Sequence, residues 1–111
     1  MREHPVIGER ILAAIPGMQG IARMVRHEHE SFDGSGYPDG LAGDAIPIGS
    51  RIILACDTYH AIVSDRPYRA RQTHAAAVVE LSRCAGRQFD PRVTELLIGH
   101  LHMQRAAGQL V

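Results

Sequence analysis

The chain has 111 residues, room for a single domain. With 45% hydrophobic and 22% charged residues, its composition excludes a disordered or collagen-like chain. Twelve Arg balance twelve Asp plus Glu, so the net charge is zero and no basic field exists for a nucleic-acid duplex or a membrane surface.

In chain order, Pro5 opens a helix predicted over His4 to Ile15, with Ile7, Ile11, Leu12 and Ile15 at helical spacing and Pro16-Gly17 ending it. A second helix is predicted from about Met18 to Glu30, closing in the polar run Arg26-His27-Glu28-His29-Glu30. Ser31 to Gly49 reads as a long loop, because five glycines and two prolines exclude regular structure. Loops of that length inside a domain tend to be functional. The most apolar helix is predicted over about Ser50 to Val63, with Asp57 in its middle. A turn at Ser64 to Arg69 leads to a helix near Thr73 to Ala85, closed by Gly86. The last helix starts at Asp90 as N-cap with Pro91 behind it. No stretch alternates with period two, so the fold class is all-α, with about five helices and one large Gly/Pro-rich loop.

Lysine is absent, which excludes a Walker A phosphate loop. A calcium loop starting at Asp33 fails because Pro38 stands where the sharp turn demands Gly. No apolar run approaches the roughly 20 residues of a membrane helix, and no signal peptide opens the chain. Cys56 and Cys84 stand singly in apolar stretches and read as reduced, buried thiols of a cytoplasmic protein.

Seven His raise the expectation of metal or proton chemistry. Asp57 in an apolar helix either points to solvent, pairs with an Arg such as Arg51 or Arg66, or binds a cation, since an unpaired buried carboxylate costs several kcal/mol. In the His27 to Glu30 run, helical geometry lets Glu28 and His29 converge but turns His27 and His29 to opposite sides. A solvated helix end explains the same run equally well. His60 reads as a ligand, a ligand's support or a core residue; His74, His100 and His102 read as surface or packing residues.

The strings His4-Pro5-Val6-Ile7-Gly8, His29-Glu30-Ser31-Phe32-Asp33-Gly34-Ser35-Gly36-Tyr37-Pro38, Cys56-Asp57-Thr58-Tyr59, Ser64-Asp65-Arg66-Pro67-Tyr68-Arg69 and Gln88-Phe89-Asp90-Pro91 together resemble the HD-GYP family of metal-dependent phosphodiesterases. The resemblance spans about Glu3 to Leu97. It implies an all-helical HD-type domain with iron or manganese as cofactor and cyclic di-GMP, or a related cyclic dinucleotide, as substrate. The metal ligands it implies are His4, Glu28, His29 and Asp57, with Glu28 where many members carry a His; a carboxylate can ligate the same metals. Tyr37, Arg66 and Arg69 fall on substrate-contacting positions.

The family's name-giving His-Asp pair does not occur in these 111 residues, so residues 1–111 are expected to be the C-terminal portion of such a domain, with its N-terminal helices missing. Weak metal binding, marginal stability, either no hydrolysis or activity only after pairing with another chain, and self-association or aggregation through partly uncovered positions such as Ile53 or Ile62 are the expected consequences. The alternative is an interaction module, with an exposed Tyr37 loop docking to diguanylate cyclase domains as the family resemblance implies.

Overall fold

The structure, a computed structural model, describes residues 3–108. Helices run over His4–Ala13 (α1), Gln19–Arg26 (α2), Ile48–Val63 (α3), His74–Arg83 (α4) and Pro91–Ala106 (α5). No strand forms among the described residues, in keeping with the all-α expectation.

The connection between α2 and α3 is the predicted loop, but it is not wholly irregular: Gly43–Ala45 makes a short 3-10 turn. Helix α2 stops at Arg26, four residues short of the sequence expectation, so His27 to Glu30 lie in turns. The cause is competition for the backbone. The Glu30 N–H bonds the His27 carbonyl, and the Tyr37 N–H takes the His29 carbonyl, which a continuing helix would have used internally. Helix α3 starts two residues earlier than expected, directly behind Pro47, which suits the boundary position.

Leu81, Ala55, Cys84, Phe89 and Val93 form the core where α3, α4 and α5 meet, with Leu54, Tyr59, Leu97 and Ile98 packed on it. Ile62 is buried, contrary to the expectation that it would be partly uncovered, while Ile53 is half-buried. Exposed apolar positions include Ile7 and Ile11 on α1, Ile15 just beyond it, and Ile48, Ile52 and Leu96. Cys84 is buried as expected. Cys56 is exposed, on a side of α3 that lines an open groove with Val93, Leu96 and Leu97 of α5.

Helix α1 lies against α2, and Gly8 makes this possible: a Cβ there would sit 3.0 Å from Val25 Cγ1. Two polar joints complete the assembly. Arg51 on α3 donates from Nη1 to Asp90 Oδ2 at 2.7 Å and from Nε to the Ile46 carbonyl at 2.9 Å. Asp90 also caps α5, accepting from the Arg92 N–H at 2.8 Å. Burial alone would raise the Asp90 pKa, but the Arg51 guanidinium and the cap amides outweigh it and hold the carboxyl below its ordinary range.

The second joint is Glu30, whose side chain is fully buried. One carboxylate oxygen accepts from the Asp39 N–H at 3.0 Å and lies 3.0 Å from His27 Nδ1; the other accepts from the Leu41 N–H at 3.1 Å. Asp39 in turn receives two hydrogen bonds from Arg26, at 2.8 and 3.0 Å, and Arg26 also reaches Glu9 of α1 at 2.9 Å. The hydrogen bonds to Asp39 and Glu9 push the Arg26 pKa up, and the Arg26 guanidinium holds the Asp39 carboxyl below its usual range.

Two outcomes follow. Asp90→Asn keeps a cap oxygen but loses the charge facing Arg51, and should cost roughly 1–3 kcal/mol at neutral pH. Because the native pKa of Asp90 is depressed, its contribution is complete above the unfolded value of about 3.9 and fades as pH falls through the lower native value. Urea melts of both proteins should therefore converge at acid pH. Glu30→Gln replaces an acceptor by an NH2 group facing a backbone N–H, and should cost about 1–3 kcal/mol. Hydrogen exchange at the Asp39 and Leu41 amides should accelerate well beyond that of the α5 amides.

Candidate metal and phosphodiester site

The first turn of α1 carries His4, and the turn after α2 carries Glu28 and His29. His4 Nε2 and His29 Nε2 are 3.1 Å apart, with the rings edge to face. Glu28 Oε1 lies 3.8 Å from the same His29 nitrogen. On the other side of His29, the Tyr37 ring stacks in parallel at 5.2 Å. This close folding of the loop needs Gly36, where a Cβ would press to 2.5 Å from the His29 carbonyl oxygen and 2.6 Å from Glu30 Cα. No rearrangement of a side chain could relieve contacts that are all with backbone.

Across from this wall, α3 presents Leu54, Asp57, Thr58, Ala61 and Ile62, which with Glu28, His29 and Arg69 line a cleft of about 420 Å³. Arg69 stands in the turn after α3. Its Nη2 donates to the Ala61 carbonyl at 2.9 Å, while its Nη1 is buried without a hydrogen-bond partner. An unsatisfied guanidinium nitrogen beside two carboxylates and an imidazole is a cation waiting for an acceptor.

Several sequence expectations are corrected here. For Asp57 the structure selects among the alternatives left open: it is exposed on the cleft wall, so the cost of burying a carboxylate does not arise for it. It pairs with neither Arg51 nor Arg66 among the described residues, because Arg51 is committed to Asp90. Tyr37 is half-buried against His29, not a projecting contact residue. Arg66 is exposed outside the cleft, its backbone paired with that of Arg69 across the turn. The helical reading of His27 to Glu30 fails because the segment is not helical, although His27 and His29 do face different centres. His60 is exposed, and His74 is bonded to the Tyr59 hydroxyl at 2.9 Å.

Sequence reasoning missed His27 and Glu30 as one unit. Among the described residues, His27, Glu30 and Asp39 form a group of three whose ligand atoms lie within 4.8 Å of one another. Their oxygens are already engaged by Arg26 and by two amides, so the group is a hydrogen-bonded knot beneath the loop. His29 meets His4 at 3.1 Å and Glu28 at 3.8 Å, and Glu28, His29 and Asp57 line the open cleft. The signal available in the sequence was His27 three residues before Glu30, just ahead of a glycine-rich loop full of backbone amides.

Comparison with known proteins gives a consistent picture. The family model described as HD domain matches residues 1–93. The chain is 42% identical, over 98% of its length, to the cyclic di-GMP phosphodiesterase response regulator RpfG of Xanthomonas campestris pv. campestris, and covers 30% of that protein. It is 37% identical, over 90% of its length, to the 3'3'-cGAMP-specific phosphodiesterase 2 of Vibrio cholerae, covering 20% of it. The crystal structure of the V. cholerae cyclic GMP-AMP phosphodiesterase V-cGAP3 superposes with a TM-score of 0.82 at 21% identity, over 94% of this chain and 24% of that one. The chain thus spans less than a third of the length of these relatives, and the structural likeness carries the fold. On the matching model and the motif strings together, the chain belongs to the HD domain family, in its HD-GYP branch.

Proposed function

We propose that this chain supplies one part of a metal-dependent phosphodiesterase centre that acts on cyclic di-GMP or a related cyclic dinucleotide. The observation that carries the reading is the meeting of His4 and His29, nitrogen to nitrogen at 3.1 Å, on a cleft that also holds Glu28, Asp57 and the unsatisfied Arg69.

The donor set fits a divalent cation. Two ligands at about 2.1 Å from one metal stand roughly 3–3.4 Å apart, which is the spacing of the two imidazole nitrogens. Imidazole with carboxylate suits iron or manganese. His4 and His29 would hold the cation, with Glu28 beside them and Asp57 offered from α3. Such a cation supplies Lewis-acid polarisation of a phosphodiester and a water acidic enough to attack it. HD domain phosphohydrolases are metal-dependent, and the relatives named for cyclic di-GMP and for cGAMP support the substrate class.

The chain's own residues have distinct tasks. Tyr37 fixes the plane of His29 by stacking, so the imidazole nitrogen stays aimed at the cleft. Arg69, anchored on the Ala61 carbonyl, offers its remaining N–H groups to a phosphate oxygen. Arg66, exposed in the same turn, is placed to meet a more distant part of the substrate. Leu54 and Ile62 give the cleft an apolar floor beside these charges. A docking role toward diguanylate cyclase domains finds less support, since the face of the Tyr37 ring is spent on His29.

Manganese binding, followed by electron paramagnetic resonance on the 111-residue chain, should weaken by at least about tenfold in His29→Ala and in Asp57→Ala. Arg69→Ala should leave it unchanged. No binding, or equal binding by all variants, would overturn the ligand assignment. The chain alone, without a His-Asp pair, should not hydrolyse cyclic di-GMP. Metal-dependent turnover lost in Asp57→Ala would show that its residues suffice.

A further inference from the structure

On another face of the C-terminal half of α3 lies a second cleft, of about 600 Å³, lined by Tyr59, Val63, Arg71, Gln72, Thr73, His74 and Arg105. Two guanidiniums face it and no carboxylate does. Among the described residues neither Arg71 nor Arg105 forms an ion pair, whereas Arg26, Arg51 and Arg83 all do. The segment that carries Arg71 is fixed at both ends: the Arg71 N–H donates to Asp65 Oδ1 at 2.9 Å and the Gln72 N–H to the Ile62 carbonyl at 2.8 Å. Thr73 then caps α4 by accepting from the Ala76 N–H. Arg71 is therefore presented from a settled backbone.

The floor of the cleft holds an independent sign of a missing partner. His74 Nδ1 is 2.9 Å from the Tyr59 hydroxyl, while Nε2 is buried with no hydrogen-bond partner. With the phenol donating to Nδ1, Nε2 carries the hydrogen and lacks an acceptor, a state that folded proteins rarely leave uncorrected. Burial, then Arg105 and His102, pushes the His74 pKa down, so the imidazole is a neutral donor at neutral pH. Its other aromatic neighbours are Tyr59 and His102, at 5.9 and 5.4 Å between ring centres.

We propose that this cleft binds a phosphate-bearing anion, held between Arg71 and Arg105 with His74 Nε2 donating from below. Two forked guanidiniums and a neutral N–H match the several acceptor oxygens of a phosphomonoester. The volume admits a group as large as a nucleotide. The site rests on residues of α3, α4, α5 and the α3–α4 connection that do not line the His29–Asp57 cleft, so it stands or falls independently of the proposed reaction.

The test is a titration of the full chain with inorganic phosphate, guanosine monophosphate and guanosine, followed through the ring resonances of His74. Phosphate or the nucleotide should shift them saturably, and Arg71→Gln and Arg105→Gln should each weaken binding by about tenfold or more. Arg92→Gln, on another face, should not. Both cleft arginines are exposed, so the variants should keep the wild-type circular dichroism; should one unfold, the other gives the same reading. Tighter binding of the nucleotide than of phosphate would identify a nucleotide as the source, and equal binding phosphate itself. No saturable shift up to tens of millimolar phosphate, a shift equally strong with guanosine, or one that survives both substitutions would overturn the proposal.

Discussion

The buried carboxylate of Glu30 organises the half of the molecule that matters for chemistry. A glycine-rich segment of nineteen residues has many backbone amides and few side chains to bury, so hydrophobic packing alone cannot give it one conformation. Glu30 collects two of those amides, at Asp39 and Leu41, on one group that is itself shut off from water. Left without them, the carboxylate would be a costly buried acceptor; left without it, the amides would lose their partner. The loop and the turn after α2 are thereby obliged to stay together, and His29 and Tyr37 meet as a result.

A second layer of polar contacts extends that order outward. The Phe32 and Asp33 amides donate to the carbonyls of Gln88 and Arg87, which ties the start of the loop to the connection between α4 and α5. The loop returns to α3 through the Ile46 carbonyl, held by Arg51, whose other nitrogen holds Asp90. Isolated exposed ion pairs contribute little to stability. Arg51 and Asp90 are different, being largely sheltered and each bonded to backbone as well.

Much of the framework was legible in the sequence because its signals are local. Pro5, the Pro16-Gly17 break and the Asp90-Pro91 cap place three boundaries by backbone chemistry alone, and α1 and α5 begin where these residues require. The end of α2 was not legible, because helical propensity continues through His27 and Glu28 and is overridden by partners supplied later in the chain. The exposure of Asp57 was hidden for a related reason. A helix of Ile, Leu and Ala reads as buried all round, and it takes the packing of α4 and α5 on one side to show which side is left open. The grouping of His4, Glu28, His29 and Tyr37 came from motif resemblance, since residues 25 apart in sequence have no local rule that brings them to 3.1 Å. Arg69 gained its meaning from coordinates, through an unpartnered nitrogen that no sequence pattern encodes.

The bridge from Glu9 through Arg26 to Asp39 spans α1, α2 and the loop. It makes those three pieces one bracket, in which His4, His29 and Tyr37 keep their mutual distances. Asp57 stands on α3, which meets that bracket through the Ser50 hydroxyl on the Met24 carbonyl and through the Arg51 guanidinium on the Ile46 carbonyl of the loop. The cleft is therefore walled from two separately braced parts of the chain, so its width is set by the contact of α2 and the loop with α3 and not within either wall.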